Sequence, residues 1–236
     1  MPNDFFRFKQ FCIHHDRCAM KVGTDGVLLG AWGCVEGDYI LDIGTGSGLI
    51  ALMAAQRNPH AMIHGIDVDE KAVLQAQENI AASPFSDRVT CVLQDILTYC
   101  PSIRYDTILC NPPFFTEDTL PEGASRVIAR NNSVLPFPLL INRVSSLLAT
   151  DGKFSVIIPA GLSQQFISLC MANGLHLLNR CQVRTVSNKP PRRVMLCFTP
   201  QAQTSVVETF LCLVAPDGSR SPAYSELTSE FYLDKS

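Results

Sequence analysis

The sequence has no apolar run long enough to cross a bilayer, and its first ten residues, MPNDFFRFKQ, contain no apolar signal core. It has no Cys-x-x-Cys pair and no Cys/His spacing of the zinc-finger type, although it contains ten cysteines. Scattered cysteines without a secretion signal are typical of a reducing compartment, where cysteine serves as a small core residue. We therefore expect a cytoplasmic protein with no membrane association and no metal site.

A second deficit concerns charge of one sign. No acidic residue occurs between Asp151 and Glu208, although the chain as a whole carries a net charge of −3. A segregated basic surface on an acidic protein is what binding to phosphates requires, whereas an ordinary solvated surface would explain any single basic run. We interpret the acid-free span, together with the long polar loop before it, as a nucleic-acid-binding region, with these first candidates: Arg126, Arg130, Lys189, Arg192 and Arg193.

Strand-like and helix-like segments alternate from residue 39 onward. YILDIG, AMIHGID, RVTCVLQD, YDTILC and KFSVIIP are typical of buried strands, and the segments between them have helical periodicity. HLLNRCQVRTV and RRVMLCFTP are two late strands that could pair with each other. This order predicts an α/β fold: a doubly wound, mostly parallel sheet of seven strands with an antiparallel edge. In such a sheet, ligands bind at the carboxyl ends of the strands.

A glycine-rich motif, LDIGTGSG, joins the first of these strands to its helix. Gly44, Gly46 and Gly48 permit a sharp turn and close approach of a ligand to the backbone. The dinucleotide fingerprint Gly-x-Gly-x-x-Gly would need a third glycine at position 49, which is leucine. The run Asp-x-Gly-x-Gly-x-Gly, which begins at Asp42, resembles the S-adenosylmethionine loop of class I methyltransferases. An ordinary glycine-rich turn is the alternative.

Two further acidic residues follow the next two strands. Asp67 lies about twenty residues beyond the glycine motif, where a carboxylate can accept hydrogen bonds from ribose hydroxyls. Its alternative role is to cap the following helix, a position for which Asp69 is better placed. Asp95 could accept a hydrogen bond from an adenine amine, as the equivalent residue does in class I methyltransferases. Each is a weak signal alone, but the three motifs occur in order at successive strand ends.

The stretch NPPFF, residues 111 to 115, ends the fourth strand. Neither proline can donate to a sheet ladder, so the chain leaves the sheet at Asn111. Asn-Pro-Pro-(Tyr or Phe) resembles the catalytic motif of amino-group methyltransferases. The side-chain oxygen of Asn111 and the carbonyl of Pro112 would accept the two protons of the target amine, and Phe114, after Pro113, would stack on a flat substrate. A strand terminator with a hydrophobic plug is the structural alternative.

Several segments together resemble the bacterial valine-tRNA adenine-N(6) methyltransferase family of the YfiC type. They are FKQFCIHHDRCAMKVGTDGVLLGAW, LDIGTGSGLIALMAAQ, AQENI, NPPFF, RRVMLCF and the tail FYL. The resemblance runs nearly end to end and implies a single Rossmann-like methyltransferase domain, 1–236. It implies a segment on the cofactor and substrate side at 1–35, where Lys21, Gly23, Thr24 and Asp25 lie beside the cofactor, and a C-terminal extension at 201–236. A packed lid with glycine turns is an equal alternative for the first segment.

The resulting hypothesis is a monomeric enzyme that uses S-adenosylmethionine to methylate the adenine beside the anticodon of a valine tRNA. A protein-glutamine amide methyltransferase of release factors also uses Asn-Pro-Pro-Tyr, but it would not need the basic span. A ribosomal-RNA guanine methyltransferase and a non-catalytic RNA-binding module remain as alternatives.

Overall fold

The computed structural model describes residues 4–18, 20–113 and 135–233. The strands are β1 (Phe5–Arg7), β2 (Cys12–His14), β3 (Tyr39–Ile43), β4 (Met62–Asp67), β5 (Val89–Leu93), β6 (Tyr105–Cys110), β7 (Leu148–Pro159), β8 (His176–Arg184), β9 (Arg193–Thr199) and β10 (Val207–Cys212). The helices are α1 (Thr24–Trp32), α2 (Leu49–Arg57), α3 (Glu70–Ala81), α4 (Phe137–Leu147), α5 (Ser163–Ala172) and α6 (Pro222–Leu227).

Eight of these strands form one sheet in the order β10-β8-β9-β7-β6-β3-β4-β5, while β1 and β2 form a separate antiparallel hairpin. Of the described strands in the large sheet, only β9 runs opposite to the rest. The predicted α/β class, the doubly wound and mostly parallel sheet and the antiparallel pairing of β8 with β9 are therefore confirmed. The carboxyl ends of the other seven strands meet at one edge, which we call the reaction edge.

The predicted number of seven strands is wrong, because β10 adds an eighth strand parallel to β8. Four of its six residues are exposed, so the strand lacks the apolar run that identifies a buried strand. β7 also begins earlier than the predicted strand segment KFSVIIP. It already begins at Leu148, which pairs with Tyr105, and Asp151 and Gly152 form an irregularity in the ladder.

Helices cover both faces of the sheet. On one face, α1, α2 and α3 pack over the inner residues of β3, β4 and β9, and on the other, α4 and α5 pack over β6, β7 and β9. The contact between α1 and α2 is unusually close: a Cβ at Gly30 would lie 2.5 Å from the sulfur of Met53. A Cβ at Gly26 would lie 3.0 Å from Leu49, the first residue of α2. These two glycines therefore bring the start of α1 next to the glycine motif.

The C-terminal segment returns to the N-terminal hairpin. The backbone N–H of Lys9 donates to the carbonyl of Phe231 (2.8 Å), and Tyr232 stacks on Phe8 with 6.0 Å between ring centroids. Gln56 in α2 donates to the carbonyl of Glu230 (2.7 Å). The two ends of the described chain thus pack together against α2.

All ten cysteines are free thiols, and five of them are buried. Cys110, next to Asn111, is 1% exposed, and burial raises the pKa of its thiol well above the usual value, as expected for a core residue. Within the described ranges, no helix has the length and hydropathy of a membrane span, and no group of three or more His, Cys, Asp or Glu residues could hold a metal ion.

Candidate active site

Three strand ends meet at the same level of the reaction edge. Ile43 in β3 pairs with Ile66 in β4 on one side and with Cys110 in β6 on the other. The residues that follow these three are Gly44, Asp67 and Asn111. Neighbouring strands lie about 4.8 Å apart, so the first glycine of the loop has the acidic residue on one side and the amide on the other. The sheet register therefore brings three predicted site residues together.

The glycine loop adopts a backbone that only glycine accepts readily. Gly44, Gly46 and Gly48 have φ values of +69°, +55° and +84°. The N–H groups of Gly44 and Thr45 donate to the carbonyl of Ile66, which fixes the loop to the end of β4. A Cβ built on Gly44 or Gly46 would meet nothing within 4 Å. The loop therefore borders open space, as a cradle for a ligand requires.

Asp67 holds two backbone donors at the end of β4. Its Oδ2 accepts from the N–H of Gly46 (2.8 Å), and its Oδ1 accepts from the N–H of Asp69 (3.0 Å). Each carboxylate oxygen can accept a second hydrogen bond, and the residue is half-buried, so both oxygens retain capacity for ligand hydroxyls. The helix cap is Asp69, which accepts from Lys71 (2.9 Å), so the alternative capping role of Asp67 is excluded.

Asp42 lies beneath the loop and has no surface exposure. Its Oδ2 accepts from the hydroxyl of Thr45 (2.6 Å), while its Oδ1 has no hydrogen-bond partner among the described residues. Burial raises the pKa of this carboxyl to about 7, against the lowering effect of the Thr45 hydrogen bond. A Cβ at Gly65 would lie 2.9 Å from the Thr45 hydroxyl, so the neighbouring strand also confines that side chain. Asp42 therefore contacts the loop from below.

Two further exposed residues complete this side of the edge. Asp95 is exposed in the turn after β5, where its Oδ1 accepts from the N–H of Leu97 (2.9 Å). Val68, directly after Asp67, is 67% exposed. The exposure of Val68 could not be predicted from the sequence, because a valine at the end of a strand is usually buried in the core. The only signal was its position between two acidic residues, which favours a turn with an outward side chain.

The other side of the edge begins with the Asn-Pro-Pro motif. Asn111 is half-buried, Pro112 is buried and Pro113 is exposed directly after β6. The predicted chain exit from the sheet at this point is confirmed by the end of β6 at Cys110. Phe114, Arg126 and Arg130 lie outside the described residues.

The N-terminal segment is fixed to α3 by buried amides. Asn79, 1% exposed, accepts from the N–H of His14 (2.9 Å) and donates to the carbonyls of His14 (2.8 Å) and Ser47 (2.9 Å). Gln75, also 1% exposed, accepts from the N–H of Arg17 (3.3 Å). Since Ser47 belongs to the glycine loop, Asn79 links that loop directly to the N-terminal segment.

This link and the contact of Gly26 with Leu49 bring the start of α1 close to the glycine loop. Lys21 is exposed and lies 3.9 Å from Asp4. Gly23 precedes α1, and Thr24 is its first residue, exposed at the helix N-terminus. The N–H of Val22 donates to the ring of His15 (3.3 Å), which is 5% exposed. His15 is therefore packed into this turn.

The basic residues of the acid-free span do not all present their charge to solvent. Lys153 pairs with Glu36, Arg180 with Glu208 (3.1 Å), and Arg193 donates to Asp25 (2.8 Å) at the start of α1. Lys189 and Arg192 are exposed and form no ion pair within the described residues. Both lie in the connection between β8 and β9, which is at the reaction edge because β8 ends and β9 begins there.

The fold and the loop geometry define a Rossmann-like class I methyltransferase. A predicted O-methyltransferase from Agrobacterium tumefaciens has the same fold, with a TM-score of 0.70 at 15% identity over 88% of this chain and 96% of that one. The family model of the methyltransferase small domain matches residues 27–137.

Curated relatives narrow the assignment. A tRNA1(Val) (adenine(37)-N6)-methyltransferase from Phocaeicola vulgatus is 46% identical over 99% of this chain and 100% of its own length. A protein of the same name from Klebsiella pneumoniae is 41% identical over 99% of this chain and 96% of its own length. The chain belongs to the tRNA1(Val) (adenine(37)-N6)-methyltransferase family, so the resemblance seen in the sequence is confirmed.

Proposed function

We propose that this protein transfers a methyl group from S-adenosylmethionine to the exocyclic N6 of adenine 37 in tRNA1(Val). The observation that carries the proposal is the sheet register that sets Gly44 between Asp67 and Asn111. A cofactor site and an amine-binding motif then lie side by side. The full-length identity to relatives named for this reaction supports the choice of substrate.

The residues present fit S-adenosylmethionine. The open space over Gly44 and Gly46 admits a ligand close to the backbone, and the Asp67 carboxylate can accept ribose hydroxyls. Exposed Val68 offers an apolar surface for the adenine ring, beside Asp95 as acceptor for its amine. Lys21, Gly23 and Thr24 border the same side, and Asp42 acts through Thr45 by holding the loop from below. When bound, S-adenosylmethionine supplies an electrophilic methyl group.

The Asn-Pro-Pro motif acts on the substrate amine. The Asn111 side-chain oxygen and the Pro112 carbonyl would accept hydrogen bonds from its two N–H groups and thereby direct the nitrogen lone pair toward the glycine loop. Once the nitrogen has gained the methyl group, one of these two protons would leave to solvent. Pro113 makes the turn rigid, and Phe114 stacks on the adenine. Acceptors that are fixed before the reaction lower the barrier by electrostatic preorganisation and proximity, so this mechanism needs no strong general base.

The tRNA approaches along the other half of the edge. Lys189 and Arg192 are candidates for phosphate contacts. Arg126 and Arg130 are candidates on the sequence alone, since they lie outside the described residues. Arg193, whose described ion pair is internal, would act by holding α1 against β9. The contacts between the chain ends described above support the single-domain organisation, 1–236, with 1–35 and 201–236 as its flanking segments.

The test is labelled methyl transfer from S-adenosylmethionine to a tRNA1(Val) transcript, followed by digestion and identification of the nucleoside. N6-methyladenosine at position 37 is expected, with no transfer to free adenosine, to a release factor or to ribosomal RNA. Transfer to a glutamine amide or to a guanine, with none to the tRNA, would refute the proposal.

Asn111→Ala tests the chemistry separately. Turnover should fall about 100-fold or more, while the Kd for S-adenosylmethionine in calorimetry stays near wild type, because the missing acceptor acts on the amine and not on the cofactor. Asn111→Asp retains an acceptor oxygen and should keep more turnover than Asn111→Ala. Normal turnover of Asn111→Ala would remove the proposed role of this motif.

A further inference from the structure

The outer part of the sheet carries a mixed aromatic and basic surface. On one face of β8, alternate residues Arg180, Gln182 and Arg184 point to the same side, because side chains alternate along a strand. Their register partners in β10 are Glu208, Phe210 and Cys212. This is the face on which α5 packs over the inner strands. We call these six residues the outer sheet face.

Phe210 is the prominent feature of this face. Its side chain is 61% exposed, although it lies in a strand, and the guanidinium of Arg184 lies over its ring at 5.1 Å from the centroid. The same guanidinium donates to the carbonyl of Ser187 (3.3 Å), and its Nε is buried with no partner among the described residues. An aromatic ring in water is unfavourable unless something covers it, and here the cover on one side is a cation.

A groove of about 330 Å³ adjoins this face. It lies between the first turn of α5 and the outer strands, and one residue of the connection of β8 and β9 also lines it. Its polar lining consists of Ser163 and Gln164 from α5 and of Arg180 and Gln182 from β8, and its apolar lining consists of Ala160, Pro191 and Val194. The residue that follows Pro191 is exposed Arg192.

The charge of this region is segregated. The outer sheet face and the connection of β8 and β9 contain four cations, Arg180, Arg184, Lys189 and Arg192, against the single carboxylate Glu208 among the described residues. The chain as a whole is acidic, with a net charge of −3. A partner that fits must therefore be anionic, and the exposed ring requires that it also bring flat apolar surfaces. RNA has both, since unpaired bases stack on aromatic and guanidinium planes while phosphates pair with cations.

We propose that the outer sheet face is a docking surface for the RNA substrate, in which Phe210 and Arg184 stack on an unpaired base and Lys189 and Arg192 hold the adjoining phosphates. The inference rests on the proposed function, since it locates the RNA of that reaction. Phe210 lies four strands from Asn111, about 19 Å at the spacing of neighbouring strands, and the connection of β8 and β9 lies between them at the reaction edge. An RNA stem-loop can bridge this distance while one of its bases enters the active site.

The first test separates stacking from charge. With a tRNA1(Val) transcript, Phe210→Ala should raise the Kd about tenfold and leave the dependence of log Kd on log salt unchanged, because every phosphate-binding cation is still present. Phe210→Trp should restore binding. The double variant Lys189→Gln/Arg192→Gln should weaken binding and also reduce the salt slope by roughly 0.7–0.9 for each phosphate that is no longer neutralised. In steady-state methylation, both changes should raise the KM for tRNA more than they lower kcat.

Two matched controls come from the same chain. Val207→Ala truncates an apolar side chain of similar exposure (58%) on the same strand but on its other face, and Arg104→Gln removes an exposed cation before β6 at the opposite edge of the sheet. Both should bind the transcript like wild type. Affinity and salt slope should be measured at a temperature where circular dichroism shows each variant folded.

The outcomes are distinct. If wild type methylates the transcript while Phe210→Ala and the double variant bind it with unchanged Kd and salt slope, the docking surface is wrong and the proposed function stands. If Phe210→Ala instead dissociates an oligomer in sedimentation and keeps its RNA affinity, the face is an interface between copies, which also overturns the inference. A wild-type protein that neither binds nor methylates the transcript overturns both proposals.

Discussion

Replacing Asn79 by alanine should weaken cofactor binding although the side chain lies below the surface. The change removes three hydrogen bonds that join α3 to His14 and to Ser47 of the glycine loop. The Ser47 carbonyl is left in a buried position, at a cost of about 1–3 kcal/mol, whereas the two groups of His14 are partly accessible to water and lose only about 0.5–1.5 kcal/mol each. The loss of the three hydrogen bonds should therefore cost about 2–6 kcal/mol in total, and it weakens the structure where the glycine loop meets the N-terminal segment.

Part of this cost should appear as loss of local order and not as global unfolding, because Gln75 and the Arg17–Glu78 ion pair (2.8 Å) still hold the segment. In calorimetry, the Kd for S-adenosylmethionine should rise about tenfold. A change of this size is typical when the order of one element is coupled to ligand binding at its neighbour. Hydrogen exchange of the backbone amides in residues 12–18 and 20–24 should accelerate in the same variant, since their anchor is removed.

Asn58→Ala is the matched control. Asn58 also bridges backbone groups, donating to Val35 (2.7 Å) and Gly37 (2.9 Å), but it does so at the opposite edge of the sheet. The Asn58→Ala variant should have a lower melting temperature than wild type but the same Kd for S-adenosylmethionine. The reasoning is refuted if Asn79→Ala, folded at the assay temperature, binds S-adenosylmethionine like wild type and exchanges the N-terminal amides at the wild-type rate.

Three more outcomes are expected. Asp67→Ala should weaken S-adenosylmethionine binding by about 1–3 kcal/mol in calorimetry, and unchanged affinity would show that this carboxylate is not the ribose acceptor. Burial raises the pKa of Asp42 to about 7, so the native state binds more protons than the unfolded state between about pH 4 and 7. As pH rises through that window, this group therefore lowers the free energy of unfolding by at most ~4 kcal/mol. Thermal scans of the apo protein should therefore show Asp42→Asn gaining on wild type between pH 5 and 7.5, and a constant difference would contradict the assignment. Arg193→Gln and Asp25→Asn should each lower the free energy of unfolding by about 1–3 kcal/mol and leave the salt slope of tRNA binding unchanged, because they break an internal ion pair. Arg192→Gln should instead flatten the salt slope and leave the melting temperature unchanged. The reverse pattern would mean that Arg193 contacts phosphate.

Features governed by local sequence could be predicted. The glycine loop follows from a buried strand that ends in glycines, and the helix start at Asp69 follows from capping chemistry. The strand end at Cys110 follows from the two prolines after Asn111. Since parallel strands place their carboxyl ends at one edge, predicting the strands also predicted which edge carries the candidate site.

Features that depend on distant partners could not be predicted. Asn79 and His14 are 65 residues apart, and Arg193 and Asp25 are 168 apart, so nothing local distinguishes these side chains from ordinary polar residues. As a result, the sequence alone does not separate Arg193 from the exposed cations of the acid-free span. β10 could not be predicted for a related reason. Its residues are mostly exposed and show no apolar pattern, and they form a strand because they pair with β8.

The antiparallel direction of β9 separates two regions of the reaction edge. Because this strand runs against its neighbours, the chain turns back at the reaction edge between β8 and β9, so residues 185–192 lie at that edge but apart from β3, β4 and β5. The length and sequence of that connection can then vary while the glycine loop stays the same. Under the proposed function, a change of RNA specificity in this fold would need no change in the half that carries the glycine loop, so the choice of substrate could evolve independently of the binding of the methyl donor.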